Sequence, residues 1–544
     1  MLPETKNHSC YDYLKVCAEK YGDLNMVQYG NTKYTKSELF RDIDRLSAYF
    51  QNELNLKKGD IYTVFMPTSI QAIVAFYALN KIGVSVNFLH PLISSDYLKE
   101  TLSNLNSKGI MIMDIFLKKH IDVIRKTGIS CIVCDSSDYM KGFKKYLTMW
   151  GETAMKKLSG KIRNCCSYRD AVNCQKPCQP IKFNSDHIAV YLNGGGTTGK
   201  SKTIMLSSKA INELAEKASY IDPVYENGDE ALILALPLFH CFGLCLGMHM
   251  VLCSGGRVIP MMKFNPKKFN QILMKNHIVG TMGIPLMFRK IMQEKNFDNA
   301  GLKNMKLMFC GGDDVSESFL QEFNAYLEKW NAPGRLYQGY GLTETAGVCC
   351  ANTKNDNKIG SIGKPLKGID IEIFDENHKS LPPGEIGEIS VSGSTIMSGY
   401  YFKNEDGDKG IYKDEQGKKW ILSGDLGYKD ADGFLYFSGR KKRIIIIAGY
   451  NVYPIDIEKK LSTSLPFIKE VCAVKGLQNN KTIIRLYVSL RDNDRSKEEE
   501  YRDLIQQTCE ESFSPYYVPK EIIFLDELPH TSMMKVDFMK LTEK

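Results

Sequence analysis

No internal repeat runs through the 544 residues of this chain, so nothing in it suggests an array of like units. No charge of one sign dominates: the formal net charge of +8 is thin over such a length. The basic runs Lys118-Lys119, Lys267-Lys268 and 440–443 are short and scattered, as on solvated faces, which argues against a nucleic-acid groove. Sixteen cysteines include no pair of CxxC units at zinc spacing. The single Cys131-Ile132-Val133-Cys134 lies in an apolar, strand-like run that suits buried thiols, and a reduced, cytoplasmic setting suits all sixteen. The first residues, Met1-Leu2-Pro3-Glu4-Thr5-Lys6, open no apolar segment of the secretory kind. Residues 231–253 lack Asp, Glu, Lys and Arg and are long enough to cross a bilayer, yet Pro237, His240, His249 and several glycines interrupt them. They read as a buried strand over 231–236, a turn and an apolar helix, so no transmembrane segment is expected.

What is present is the composition of a globular protein, 43% hydrophobic and 25% charged, on a chain long enough for roughly three or four domains or subdomains. Periodicity predicts helices over 37–53 and 70–82 between short apolar strands at 61–66, 84–88 and 109–113, the alternation of a parallel α/β sheet. Residues 136–180 are polar and aperiodic and read as an irregular connection with one helix. Strands at 188–192, 231–236, 258–261, 280–282 and 307–309 resume the pattern. Over 360–439 the texture changes to short β stretches at 370–374, 388–391 and 434–437, punctuated by Gly, Asp and Asn, as in a small β-barrel-like or antiparallel subdomain. Strand, helix and strand patterns at 444–447, 455–461, 471–474 and 483–490, then a helix over 497–509, follow. The expected fold is thus α/β, a large N-terminal domain over 1–439 and a small, mobile α+β domain over 440–544.

One loop carries chemistry on its face. Gly194-Gly195-Gly196-Thr197-Thr198-Gly199-Lys200-Ser201 spells the phosphate loop of P-loop nucleotidases, in which glycines let backbone N–H groups close around phosphates. The context differs, because Lys202-Thr203-Ile204-Met205-Leu206 reads as a second strand rather than a helix, with Ser207-Ser208 capping a helix over 209–218. A ligand-free glycine hairpin is the other reading, although two threonines and two lysines suit phosphate better.

Together with this loop, four motifs stand in order: Leu236-Pro237-Leu238-Phe239-His240, Tyr340-Gly341-Leu342-Thr343-Glu344-Thr345, Ser423-Gly424-Asp425-Leu426-Gly427-Tyr428 through Gly439-Arg440, and Leu528-Pro529 with Lys535. The set resembles the adenylate-forming superfamily of acyl-CoA synthetases, luciferases and peptide-synthetase adenylation domains, over nearly the whole chain. The resemblance implies that ATP activates a carboxylic acid as an acyl-adenylate and that pyrophosphate leaves. By that resemblance Thr197, Thr198, Gly199 and Lys202 hold the β- and γ-phosphates, Thr343 meets the α-phosphate, and Glu344 ligates Mg²⁺, a hard cation suited to oxygen. Asp425 accepts the ribose hydroxyls, Arg440 adds a donor, Gly312 and Asp313 line the adenine, and Tyr340, followed by Gly341, stacks on it. Two alternatives stay open: Asp425 as a turn aspartate, and Asp313 as the cap of a helix starting near Val315.

Lys535 is the implied catalytic lysine, bridging the reacting carboxylate and the α-phosphate. Lys442 holds the hinge position, and Gly449, Tyr450 and Asn451 line the acceptor tunnel for CoA or the phosphopantetheine of an acyl carrier protein. Two departures stand out: Met534 replaces the glycine usual before the lysine, and Ile446 stands where relatives place a lysine. They keep open a non-catalytic binding protein of this fold. Neither His240 nor Cys241 can pair with an α-ammonium, so the acid is expected to be fatty or another non-amino acid, walled by Phe239, His240, Phe242, Gln338, Gly339 and Tyr340.

Overall fold

The computed structural model describes residues 2–542 apart from 6, 141–161, 163, 180, 195–201, 222–224, 226–227, 295–300, 314, 403–409, 448–449, 479–480, 493–494 and 532–534. Two large sheets form its frame. In the first, the parallel strands Ser85–Phe88, Ile61–Phe65, Gly109–Met113, Ser130–Cys134 and Cys165–Ser167 lie side by side in that order. Ile188–Asn193 joins them parallel beside Ser85–Phe88, and Thr203–Ser207 turns back antiparallel to it. The second sheet is built on Arg257–Pro260, Ala231–Leu234, Ile278–Gly283, Leu307–Cys310 and Leu336–Leu342, all parallel.

The helix Ile70–Lys81 is buried from Ile70 to Asn80, as its all-round apolar sequence requires of a helix enclosed by protein. Its N-cap Ser69 accepts a hydrogen bond from the Ala72 N–H at 3.3 Å. The helix expected over 37–53 runs Lys36–Asn52, opened by a capping box of Thr35 and Glu38 that contributes about 1 kcal/mol. The apolar helix expected after residue 236 is wound wide, with a π-helical segment over Phe242–Met250 continuing as Val251–Cys253. No helix among the described residues is long and apolar enough to cross a membrane.

Two placements differ from expectation, and the 360–439 segment takes the antiparallel of its two readings. The hairpin Asn25–Tyr29 and Thr32–Thr35, absent from the expected strands, lies on the second sheet, against Arg257–Pro260. Residues 136–180, expected to be an irregular connection with one helix, contain the short helix Tyr168–Ala171 and, beyond expectation, the edge strand Cys165–Ser167. The 360–439 segment is an antiparallel sheet in which the long strand Lys419–Lys429 pairs with Gly387–Gly393 on one side. Its first half meets Ile411–Lys413 and its second half Leu435–Arg440 on the other, so it curls without pairing its outer strands to each other among the described residues. One further short strand, Gly399–Tyr400, leaves this region to pair with Thr203–Ser207 at the rim of the first sheet.

A continuous hydrophobic core runs from Cys10 to Leu435, and a separate one from Ile445 to Phe524. The second packs the helices Pro454–Ser464 and Glu498–Ser512 against the sheet Ile468–Gln478, Lys481–Leu490 and Glu521–Phe524.

Candidate active site

Both hydrophobic units border one cleft of about 1550 Å³. The strand Leu336–Leu342 carries Gln338, Gly339, Tyr340 and Gly341 along its wall. Gly341 has no room for a side chain: a Cβ there would lie 1.7 Å from the Gly347 carbonyl oxygen of the returning strand. Between these strands the tight turn Thr343–Thr345 is tied by Thr345, whose hydroxyl accepts from the Leu342 N–H at 3.1 Å. Thr343 and Glu344 are thereby held half-buried at the cleft.

Asp425 sits fully buried on the curled strand, beside the cleft. The Tyr340 hydroxyl donates to its Oδ2 at 2.7 Å, and the Arg440 Nε pairs with its Oδ1 at 2.8 Å across a register pair of neighbouring strands. Burial pushes this carboxyl up, and the Arg440 guanidinium and Tyr340 hydroxyl pull it back. Arg440 and Tyr340, read separately in the sequence, thus share a carboxylate. Gly312 and Asp313 are exposed at the cleft beyond Leu307–Cys310. The helix that follows is Glu317–Lys329, and Ser316 caps it, accepting from the Phe319 N–H, so Asp313 is not its cap.

Lys202 lies at the foot of the glycine hairpin, where the Gly194 N–H donates to its carbonyl at 2.9 Å. Thr197, Thr198 and Gly199 lie outside the described residues, as does Lys200. The strands on either side of these residues are antiparallel, with Asn193 opposite Thr203. Tyr400 is a residue that sequence reasoning missed. Its ring lies 4.4 Å from the Lys202 Nζ, and its hydroxyl donates to Glu344 Oε1 at 3.1 Å, so one side chain links the loop to the acidic turn. Tyr400→Phe should keep the ring on Lys202 but lose the Glu344 bond, raising the KM for Mg-ATP about three- to tenfold with the acid KM little changed; steady-state kinetics checks this.

From the C-terminal unit, Lys535 enters the cleft directly before Val536, which pairs back to His530. Burial pushes its ammonium down from the ordinary lysine range, Asp313 and Asp425 pull it up, and Arg440 pushes it further down. His240 is held neutral: burial, with His90 and Lys535 nearby, pushes it down to about 3, and its Nε2 is buried without a hydrogen-bond partner. Phe239 sets its ring centroid 4.7 Å from that of His90 and 4.9 Å from that of His240, both pairs tilted, closing an aromatic wall. Cys241, with its thiol 3.8 Å from the Thr343 hydroxyl, is pushed up to about 11 by burial and is no nucleophile at neutral pH.

Other predicted residues are not brought here. Lys442 is exposed in the turn Lys441–Arg443, away from the cleft lining. Tyr450, 57% exposed, stacks on Tyr516 with centroids 4.4 Å apart, and Asn451 beside it is exposed too. Neither lines the cleft, and Gly449 lies outside the described residues. Ile446 is 61% exposed on the same small hairpin. The C-terminal unit therefore presents its Lys535 face, not its Tyr450 face, to the cleft.

The model of the AMP-binding enzyme family matches residues 14–401, well over half of the chain. The chain belongs to the AMP-binding enzyme family. That family's C-terminal domain model matches residues 456–535 as well. Among curated relatives, the long-chain-fatty-acid–CoA ligase of Bacillus subtilis (strain 168) is 28% identical over 548 residues, covering 99% of this chain and 95% of its own. That of Salmonella typhimurium is 29% identical, covering 91% and 88%. Solved structures of similar fold include ATP-bound MatB from Rhodopseudomonas palustris, with a TM-score of 0.80, 22% identity and coverage of 98% and 99%. A benzoate CoA ligase from Burkholderia xenovorans LB400 gives 0.82, 19%, 98% and 99%. The fold of this family member is accordingly that of adenylate-forming enzymes, a large N-terminal and a small C-terminal domain.

Proposed function

We propose that the protein is an AMP-forming acid–thiol ligase that activates a fatty acid with ATP and passes the acyl group to the thiol of CoA. The observation that carries this reading is the meeting of Lys535 with Asp425, Arg440 and Tyr340 at one cleft that also has an apolar arm. The long-chain-fatty-acid–CoA ligases among its relatives support the acid class.

In the first half-reaction a carboxylate oxygen attacks the α-phosphorus, and the bond to the pyrophosphate oxygen breaks. Lys535 and Thr343 meet the negative charge that develops, Asp425 and Arg440 fix the ribose, and Tyr340 and Gly312 border the adenine. The hydroxyls and lysine of the hairpin, Thr197, Thr198 and Lys202, take the leaving phosphates. Glu344 is the proposed protein ligand of Mg²⁺. Its carboxylate beside the Thr343 hydroxyl is the oxygen donor set that a magnesium ion carried chiefly by phosphates uses, and no cluster of three or more His, Cys, Asp or Glu competes among the described residues. Magnesium bound with the triphosphate would neutralise charge on the leaving group.

In the second half-reaction a thiolate displaces AMP from the acyl carbon. We place the domain boundary between Gly439 and Arg440, next to the gap between the two hydrophobic cores, with Lys442 as hinge. Rotation there exchanges the Lys535 face for the face bearing Gly449, Tyr450 and Asn451, which would line the thiol's path. The sixteen free thiols suit a reducing, cytoplasmic setting.

ATP–pyrophosphate exchange over a panel of fatty, aryl and branched acids, with and without CoA, tests the proposal. Exchange dependent on a fatty acid, with AMP and acyl-CoA formed when CoA is added, is expected. Absence of exchange with every acid would sink the ligase reading, and exchange without CoA consumption would point to a carrier-protein thiol.

A further inference from the structure

The apolar arm of the cleft ends on polar atoms. Along the wide helix and its continuation, Phe242, Leu246, Met250 and Ser254 recur every fourth residue on the cleft wall. This stripe runs away from His240 over twelve residues, roughly 15–18 Å. That is on the order of an extended twelve-carbon chain. Leu236, Gly347 and Val348 face the same cleft, as do Ala218 and Ile221, so the walls are apolar.

At its far end the chemistry changes. Tyr225 Oη and Ser254 Oγ are both buried and both without a hydrogen-bond partner, and both residues line this cleft. The surrounding backbone is shaped to hold them. A Cβ on Gly256 would lie 2.4 Å from the Tyr225 ring, and one on Gly255 2.6 Å from the Tyr21 ring, so two tyrosines lie over two adjacent glycines. The Tyr21 hydroxyl donates to the Ser254 carbonyl at 2.9 Å, fixing that turn. A buried hydroxyl left unpaired is costly, so an apolar tail ending here would strand two of them. Glu230, itself buried, adds to the burial that pushes the Tyr225 phenol up, and an acidic neighbour there suits a second carboxylate poorly.

Resting on the ligase reading above, we infer that the acyl tunnel accepts a chain with a neutral oxygen function at its distal end, a terminal hydroxyl or ketone, held by Tyr225 and Ser254. The groups are complementary: one hydroxyl donates to the substrate oxygen while the other accepts from a substrate hydroxyl. Such an end discriminates against the plain chain because the plain chain leaves the protein's own polar atoms unpaired.

The experiment measures kcat/KM for acid-dependent pyrophosphate exchange with matched saturated acids of medium and long chain, each unsubstituted, ω-hydroxylated and ω-carboxylated. At the best length the ω-hydroxy acid should be preferred about tenfold over the plain acid. In Tyr225→Phe and in Ser254→Ala the rate with the plain acid should rise and that with the hydroxy acid fall, bringing the ratio toward one. Equal or better use of the plain acid by the unaltered protein overturns the inference, as would occur if an ordered water paired the two hydroxyls. A preference for the diacid, or a parallel fall for both acids in the variants, overturns it also. Each of these leaves the ligase reading standing; absence of exchange with any acid removes both.

Discussion

Lys535→Ala lowers acid-dependent pyrophosphate exchange about a hundred- to a thousandfold, the usual loss when one preorganised cation or donor is taken from developing negative charge. Thioester formation from supplied acyl-adenylate and CoA should change only a few-fold, because that step is assigned to the other face of the C-terminal domain, where Tyr450 and Asn451 lie. Equal loss of both steps would show that Lys535 is not specific to adenylation. The same lysine sets an alkaline limit. Its ammonium is the working form, and burial pushes its pKa below the ordinary lysine range. The kcat/KM for exchange, which reports the free enzyme, therefore falls as pH rises through that lowered value, and stays level below it on this account. Lys535→Arg, permanently charged, should move the fall to higher pH even where its maximum rate is lower.

Asp425→Ala raises the KM for ATP about ten- to a hundredfold, while the KM for the acid changes little. The reason lies in the geometry: a buried carboxylate with Tyr340 on one oxygen and Arg440 on the other is the charged acceptor proposed for the ribose hydroxyls. Its removal also takes the carboxylate acceptor from the Tyr340 hydroxyl, so thermal unfolding is measured beside the kinetics and a loss of about 1–3 kcal/mol is expected. Deoxy analogues of ATP isolate the sugar contact. The unaltered protein should use 2′-deoxy- and 3′-deoxy-ATP poorly, and the variant should treat them nearly as it treats ATP. An alanine variant that keeps the full preference for the ribose hydroxyls would show that they are bound elsewhere.

Much of the candidate site was legible because the chemistry proposed for it restricts residue types. The carboxylate Asp425, the acid Glu344 beside Thr343 and Lys535 near the end stand in motifs that the fold brings to one cleft. Tyr400 was not legible. It arrives on a two-residue strand 56 residues from the Glu344 it serves, and nothing in Ser398-Gly399-Tyr400 signals either a strand or a partner. The bond between Tyr340 and Asp425 was hidden in the same way, since both residues were in view but the register that joins them is tertiary. Local signals were sometimes present and passed over. Tyr29-Gly30-Asn31-Thr32 is a two-residue hairpin turn with Gly30 at φ 59°, yet no local rule says that the hairpin joins the second sheet rather than the first. The orientation of the C-terminal domain is of another kind. The two faces proposed to work in turn are encoded equally, so the sequence names both Lys535 and Tyr450 without saying which one turns inward.

The strand Gly399–Tyr400 completes a sheet begun at Ile61, covering the outer side of Thr203–Ser207. Until about residue 400 has been synthesised, that outer strand remains an open edge, with unpaired N–H and C=O groups ready for another chain. Fragments ending before Gly399 should therefore associate through it, and a chain cut there gains a sticky rim as well as losing a tyrosine. The residue that joins Lys202 to the acidic turn is thus also the late stitch that protects the sheet from its neighbours.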